Sequence, residues 1–179
     1  MTTKHYSLVG DIGGTNARFA LVEQGDVHPQ AIEVLACGDY DNLDRAVIDY
    51  LQRVGVQSVS QACLAVASPV RGTQIRMTNN HWRFDTEEVR QQFGWSAFKV
   101  INDFTAMALG VPHVSEANLV HVCGGPGDPR RPRLVMGPGT GLGVSGLVPI
   151  KKGWVPLMTE GGHVDFAPTD DVEMDILRI

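Results

Sequence analysis

Two short segments of the sequence, DIGGT at residues 11–15 and GPGT at residues 137–140, carry residue types that can bind a phosphate group. Consecutive glycines let backbone N–H groups converge on an anion, and the threonine hydroxyl beside them adds a donor. One such turn alone is more typical of a structural hairpin. The chain has two, in the similar stretches GGTNARFAL and PGTGLGVSG, and this pairing favours two similar hairpins that face one ligand.

Two other nucleotide-binding motifs fit the sequence less well. A Walker A loop is excluded because GK followed by serine or threonine occurs nowhere in the chain. Gly141, Gly143 and Gly146 match the GxGxxG of a dinucleotide site, but that motif must open a helix. The residues VSGLVPI at 144–150 are apolar and contain a proline, so they predict a strand. The Rossmann interpretation is therefore disfavoured.

Asp103 is placed where a carboxylate can act on a bound hydroxyl. It ends the predicted strand KVIND and precedes FTAMALG, so it lies at a corner between a strand and a helix. A carboxylate there can accept a proton from a hydroxyl that attacks phosphorus. It can equally be a helix N-cap. Asn102 beside it suits the vicinal hydroxyls of a sugar, while Glu160 and His163 form a second polar group around two glycines that can also be purely structural.

Hydrophobic periodicity predicts the elements that position these groups. We expect strands at residues 6–10, 17–22, 63–70 and 99–103, and a strand, glycine turn and strand from residue 133. We expect a first helix with Asp41 or Asn42 as its N-cap and Gly55 as its stop. Further helices are expected from an Asp85–Glu88 capping box to Gly94, at 104–110, and at 170–179 after Thr169. The glycine- and proline-rich stretch 112–132 predicts a boundary near Val111, between a small α/β domain (1–111) and the beginning of a larger second domain (112–179).

Composition restricts the class of protein. Hydrophobic residues make up 43% of the 179 residues, enough for a core, and the formal net charge is −5. An acidic chain offers no basic field for nucleic acid or an anionic membrane surface, so neither partner is expected. No apolar run approaches a membrane span, and the three cysteines form no CxxC pair. A cytoplasmic protein is expected.

Five stretches carry a family resemblance: LVGDIGGTNARFAL, MTNNHW, INDFTAMA, GPGTGLGV and EGGHVDFAP, in this order. Together they resemble the bacterial glucokinases of the proteobacterial type, in the superfamily of sugar kinases, actin and Hsp70 chaperones. The resemblance implies an actin-like ATPase (ribonuclease H-like) α/β fold, with a mixed sheet and flanking helices. It implies phosphorylation of D-glucose at the 6-hydroxyl by ATP with Mg²⁺, by a homodimer.

The resemblance also assigns roles to individual residues. Those of the first phosphate hairpin are Gly10, Asp11, Ile12, Gly13, Gly14 and Thr15, with Asp11 facing the Mg²⁺ shell indirectly. Those of the second are Gly139, Thr140 and Gly141. The glucose-binding positions are Asn102, Asp103, Glu160 and His163, and Asp103 is also the catalytic base.

Two further expectations concern the length of the chain and its nearest alternative. Family members are longer, and the last predicted helix has no C-cap, so we expect an N-terminal fragment that is inactive by itself. The alternative function is a non-catalytic sugar- or nucleotide-binding regulator of the ROK type. ROK proteins usually have a cysteine-rich zinc motif after the EGGH-like segment, whereas residues 163–179 contain no cysteine, which favours the glucokinases.

Overall fold

The computed structural model describes residues 5–125, 127–128, 130–138, 142–159 and 161–179. The strands in these residues are β1 (Tyr6–Ile12), β2 (Asn16–Glu23), β3 (Gln30–Ala36), β4 (Gln61–Val66), β5 (Gln74–Arg76), β6 (Arg83–Asp85), β7 (Ala97–Asn102), β8 (Arg133–Pro138), β9 (Leu142–Ile150) and β10 (Gly153–Leu157). The α-helices are α1 (Leu43–Arg53), α2 (Thr86–Gln92), α3 (Asp103–Gly110) and α4 (Asp171–Leu177). The chain divides into two compact units between Ala106 and Met107, within α3. The assignment of residues 1–111 and 112–179 to two domains stays a prediction.

The first unit is built on a five-stranded mixed sheet with the strand order β3-β2-β1-β4-β7. The hairpin β1–β2 and its neighbour β3 are antiparallel, whereas β1, β4 and β7 run parallel. Alternating apolar residues of these strands face a core that includes Leu8, Phe19 and Leu64, none of them exposed. The predicted α/β class with a mixed sheet is confirmed.

Helix α1 covers the sheet, and its ends are the predicted ones. Asn42 Oδ1 accepts a hydrogen bond from the Arg45 N–H at 3.0 Å, which satisfies a free donor of the first turn. Gly55 follows the last turn with φ +70°, the left-handed conformation that glycine adopts at helix ends. The ring of Tyr50 lies 5.4 Å from that of Phe19 on β2, centroid to centroid.

Tyr50 carries a testable pH dependence. Its side chain is fully buried and its hydroxyl donates to the Ala31 carbonyl at 2.9 Å. Burial, assisted by the charge of Glu33, raises the pKa of Tyr50 to about 12. As pH rises, the phenol therefore ionises in the unfolded chain before it ionises in the folded one. The contribution of the buried, neutral Tyr50 to the free energy of unfolding is complete below about pH 10 and is lost as pH rises toward about 12.

We expect Tyr50→Phe to destabilise the protein by about 1 kcal/mol near neutral pH, because one hydrogen bond to a carbonyl is lost. The gap in melting temperature between wild type and variant narrows at alkaline pH, since the variant has no phenol to ionise on unfolding. Melting curves at about pH 8 and about pH 11 test this. A gap that stays constant over that range would contradict the assignment.

Helix α2 begins at the predicted cap, whereas β4 ends earlier than expected. Asp85 Oδ1 accepts from the backbone N–H groups of Glu87 and Glu88, at 2.8 and 3.1 Å. The predicted strand at 63–70 is wrong at its end, because the sheet pairing of β4 stops at Val66. Ser68 is instead bonded to a residue after β5, and Pro69 has no N–H for a sheet.

The second unit contains the antiparallel sheet β10-β9-β8. Its core includes Ala108, Val135 and Leu147. The residues after Gly141 form strand β9 rather than a helix, which confirms the rejection of the Rossmann interpretation. Helix α4 is capped by Asp170, whose side chain accepts from the Glu173 N–H; the predicted cap, Thr169, instead donates to the Glu173 carboxylate. No helix among the described residues has the length and apolar character that crossing a membrane requires.

Candidate active site

The parallel strands of the first unit bring the predicted groups to one edge of the sheet. Ile12, the last residue of β1, is paired with Val66, the last residue of β4. Val66 is paired in turn with Asn102, the last residue of β7. The glycine turn after β1 and the Asn102–Asp103 corner therefore leave the sheet at the same edge, which is where open α/β sheets bind ligands.

Within the first hairpin, only part of the predicted phosphate segment lies outside the sheet. Gly10 and Ile12 belong to β1 and are paired with residues of both neighbouring strands. A Cβ at Gly10 would lie 2.7 Å from Leu64 Cδ2 and 3.0 Å from Phe19 Cδ1, so this glycine is required for packing between strands. Residues 13–15 form the turn itself.

Hydrogen bonds shape this turn from both sides. The Gly13 N–H donates to the Asn16 carbonyl at 2.9 Å, and the Cys37 N–H donates to the Thr15 carbonyl at 2.8 Å. The Gly13 carbonyl accepts from Asn80 Nδ2 at 3.0 Å, and Cys37 Sγ lies 3.8 Å from the same oxygen. Burial raises the pKa of the Cys37 thiol, so it stays a neutral, weak donor beneath the turn.

Asp11 lies at the edge of the hairpin in an ion pair. Its Oδ2 is 2.9 Å from Arg18 Nη1, directly across the β1–β2 pair, and both side chains are more than half exposed. No group of three or more histidine, cysteine, aspartate or glutamate side chains among the described residues is arranged to hold a metal ion. One exposed carboxylate still suits Mg²⁺ that arrives with a nucleotide, because this ion keeps waters and phosphate oxygens as its other ligands.

The Asn102–Asp103 corner has one carboxylate oxygen left for a substrate. Asn102 Oδ1 accepts from the N–H groups of Phe104 and Thr105, at 3.0 and 3.4 Å, in the manner of an N-cap. Asp103 Oδ1 accepts from the Phe104 N–H at 2.8 Å. Among the described residues none is hydrogen-bonded to Asp103 Oδ2. The half-buried Asp103 is thus oriented by the helix start through one oxygen, while the other accepts no hydrogen bond from the part of the chain that the structure describes.

The remaining predicted residues belong to the second unit. His163 ends a short 3-10 helix, Gly161–His163, that contacts β9. A Cβ at Gly162 would overlap the carbonyl oxygen of Leu142, the first residue of β9, so only glycine fits there. The other predictions in this unit, for Gly139, Thr140, Gly141 and Glu160, lie outside the described residues.

Sequence reasoning gave no role to the residues 77–82 that lie against the first hairpin. Ser68, almost completely buried after β4, accepts from the Thr78 N–H at 2.8 Å and lies 3.1 Å from its hydroxyl. Asn80 is bonded to Gly13, as described above. The only signal in the sequence was MTNNHW, a polar stretch between two short strands that carried part of the family resemblance.

Comparisons with known proteins show the family to which the chain is similar. The family model described as Glucokinase matches residues 8–179. The glucokinase of Marinobacter nauticus is 82% identical over the whole chain, and that of Hahella chejuensis is 56% identical over the same residues. The crystal structure of a glucokinase from an Antarctic psychrotroph superposes with a TM-score of 0.87 at 36% identity, covering 97% of this chain and 55% of that one.

These matches confirm the predicted actin-like α/β fold. They also show how much of each relative's length the chain covers. The chain spans about half the length of the curated relatives it matches, 56% of each of the two named above. The match itself runs from β1 to the last residue and includes all five stretches that carried the resemblance. This chain belongs to the glucokinase family.

Proposed function

We propose that the complete protein containing this chain is a glucokinase, which transfers the γ-phosphoryl group of ATP to the 6-hydroxyl of D-glucose and releases glucose 6-phosphate and ADP. The observation that supports it best is the shared sheet edge. The turn at residues 13–15 follows β1 and Asp103 follows β7, at the carboxyl ends of parallel strands, and Asp103 Oδ2 accepts no hydrogen bond from the described residues. A phosphate donor and a hydroxyl acceptor need this kind of juxtaposition.

In this proposal Asp103 is the general base. Its Oδ2 accepts the proton of the 6-hydroxyl of glucose. The oxygen of that hydroxyl attacks the γ-phosphorus in line, and the bond between the γ-phosphorus and the oxygen that bridges to the β-phosphate breaks. The Phe104 N–H holds Oδ1 at 2.8 Å, which fixes the orientation of the carboxylate before the sugar binds. Asn102, Glu160 and His163 are proposed to bind the sugar hydroxyls, as the family resemblance implies.

The phosphate groups are proposed to bind at the two glycine turns. In the first, the backbone N–H groups of Gly14 and Thr15 stabilise the charge that develops on the phosphate oxygens, while the Gly13 N–H stays bonded to the Asn16 carbonyl. In the second, Gly139, Thr140 and Gly141 have the same role by resemblance. Asp11 would hold Mg²⁺ through its shell of waters, and this ion neutralises phosphate charge when bound. We also infer a homodimer in the cytoplasm from the resemblance to the family.

The test is glucose-dependent ADP release by the complete gene product at saturating Mg·ATP. We expect ADP release that requires glucose, and none from the 179-residue chain, which lacks the remaining half of its relatives' length. Sedimentation velocity on the same sample measures the dimer. Glucose binding in calorimetry without any ADP release would overturn the kinase and support the alternative, a non-catalytic binding protein.

A further inference from the structure

The NNHW segment, residues 79–82, connects the first hairpin to a second part of the core. At one end, Asn80 Nδ2 donates to the Gly13 carbonyl at 3.0 Å. Asn80 Oδ1 accepts from the Trp82 N–H at 2.9 Å, so both ends of the amide are engaged. This pattern also fixes the orientation of the amide, since only its nitrogen can donate to a carbonyl.

The other end of the segment is firmly anchored. Trp82 is completely buried, and its indole N–H donates to the Tyr40 carbonyl at 3.1 Å. His81 Nε2 lies 3.0 Å from the same oxygen. The Met77 N–H donates to the Trp82 carbonyl at 3.1 Å, which closes the loop between β5 and β6. Asn80 therefore extends from a rigid base.

The glycine turn needs such a support because its own residues provide little. Gly13 and Gly14 have no side chains, so their backbone can adopt many conformations in which the N–H groups do not converge on an anion. Gly14 is also in close contact with the segment: a Cβ there would lie 2.8 Å from Asn79 Cβ and 3.0 Å from the Asn79 carbonyl oxygen. Besides the backbone bonds of Gly13 to Asn16 and of Cys37 to Thr15, the NNHW segment thus holds the turn by one directed hydrogen bond at Gly13 and one close contact at Gly14.

We propose that Asn80 is a positioning residue for nucleotide binding: by holding the Gly13 carbonyl on the side of the NNHW segment, it turns the N–H groups of the hairpin toward the phosphates. This inference rests on the proposed function, since it assumes that the turn binds nucleotide. Asn80 itself contacts no substrate in this role. It removes the freedom of the glycine turn before ATP arrives, which lowers the entropy lost on binding.

We expect Asn80→Ala in the complete protein to weaken binding of a non-hydrolysable Mg·ATP analogue about tenfold, the effect of about one hydrogen bond to a polar group. The KM for ATP rises by a similar factor, whereas the KM for glucose stays within about twofold. If Asn80 had only a structural role, its replacement would lower the melting temperature without raising the KM for ATP more than the KM for glucose.

The neighbouring asparagine supplies matched controls. The Asn79 side chain is exposed and forms no hydrogen bond with the described residues, and Asn79→Ala keeps the Cβ and the carbonyl that touch Gly14. Asn80→Asp keeps the acceptor for the Trp82 N–H and loses the donor to Gly13. Asn79→Asp adds the same negative charge one residue away, so it corrects for repulsion of the phosphates. If Asn80→Ala fails to fold, nucleotide binding by Asn80→Asp is compared with that by Asn79→Asp, and this comparison tests the role of Asn80.

Calorimetric titrations with the Mg·ATP analogue and with glucose test the role of Asn80 separately from the proposed kinase function. Weaker nucleotide binding in the Asn80 variants than in the matched Asn79 variants, with glucose binding unchanged, supports the inference. Equal nucleotide binding in both pairs overturns it while the kinase stands. A wild-type protein that binds no nucleotide overturns the proposed function, and the role of Asn80 with it.

Discussion

Replacing Asp103 with asparagine in the complete protein is expected to lower kcat about a hundredfold or more, the usual contribution of a general base. The amide has the same shape as the carboxylate and its oxygen can still accept from the Phe104 N–H, so the corner between β7 and α3 keeps its geometry. What is lost is the ability of the second oxygen to take a proton. Glucose affinity should therefore change much less than kcat.

Rates of ADP release and glucose titrations on the same preparation measure the two quantities separately. Asp26→Asn is a suitable control, because Asp26 is an exposed aspartate after β2, whose last residue is paired with the first residue of β1 at the opposite edge of the sheet from Asp103. The control should retain the wild-type rate. If Asp103→Asn also turned over at the wild-type rate, Asp103 would no longer qualify as the base, and the carboxylate would be left with its bond to the helix start.

The sequence predicts the corner at Asp103 and the two hairpins because local signals determine them. Asn42 and Asp85 cap their helices where the pattern places them, and Gly55 ends α1. Parallel neighbours are not visible in a sequence, yet a strand with a polar pair at its carboxyl end already suggests a ligand edge. This is why Asn102 and Asp103 could be identified before the strand order was known.

What could not be predicted depends on contacts between distant residues. Gly10 is in the right motif, but its need for a missing Cβ comes from Leu64 and Phe19 on other strands. The bond from Asn80 to Gly13 joins residues 67 positions apart. Ser68 was assigned to a strand because its neighbours are apolar, although its hydroxyl is bonded to Thr78 after another strand. The resemblance to the glucokinases included the NNHW segment but did not indicate its contact with the first hairpin.

Replacing Gly162 with alanine is the second change with a large expected effect. Its Cβ would overlap the Leu142 carbonyl oxygen, which is a backbone atom at the start of β9 and not the end of a flexible side chain. The 3-10 helix that contains His163 must then move away from β9, which is the strand that follows the second glycine turn in the sequence. We expect the affinity for glucose to fall at least about tenfold and the free energy of unfolding to drop by about 3 kcal/mol, the upper range for an overpacked site.

Gly161→Ala provides the matched control, because it makes the same change one residue earlier. Its Cβ would meet Val144 Cγ1 at 3.3 Å and Thr159 Oγ1 at 3.4 Å, side-chain atoms that can shift by small rotations. Neither glycine has a positive φ, so the comparison isolates steric overlap from backbone preference. Glucose titration and melting curves on both variants should show a small effect at Gly161 and a large one at Gly162. Equal effects would mean that the 3-10 helix packs on β9 less closely than the distance to Leu142 indicates, and that His163 owes its position to other contacts.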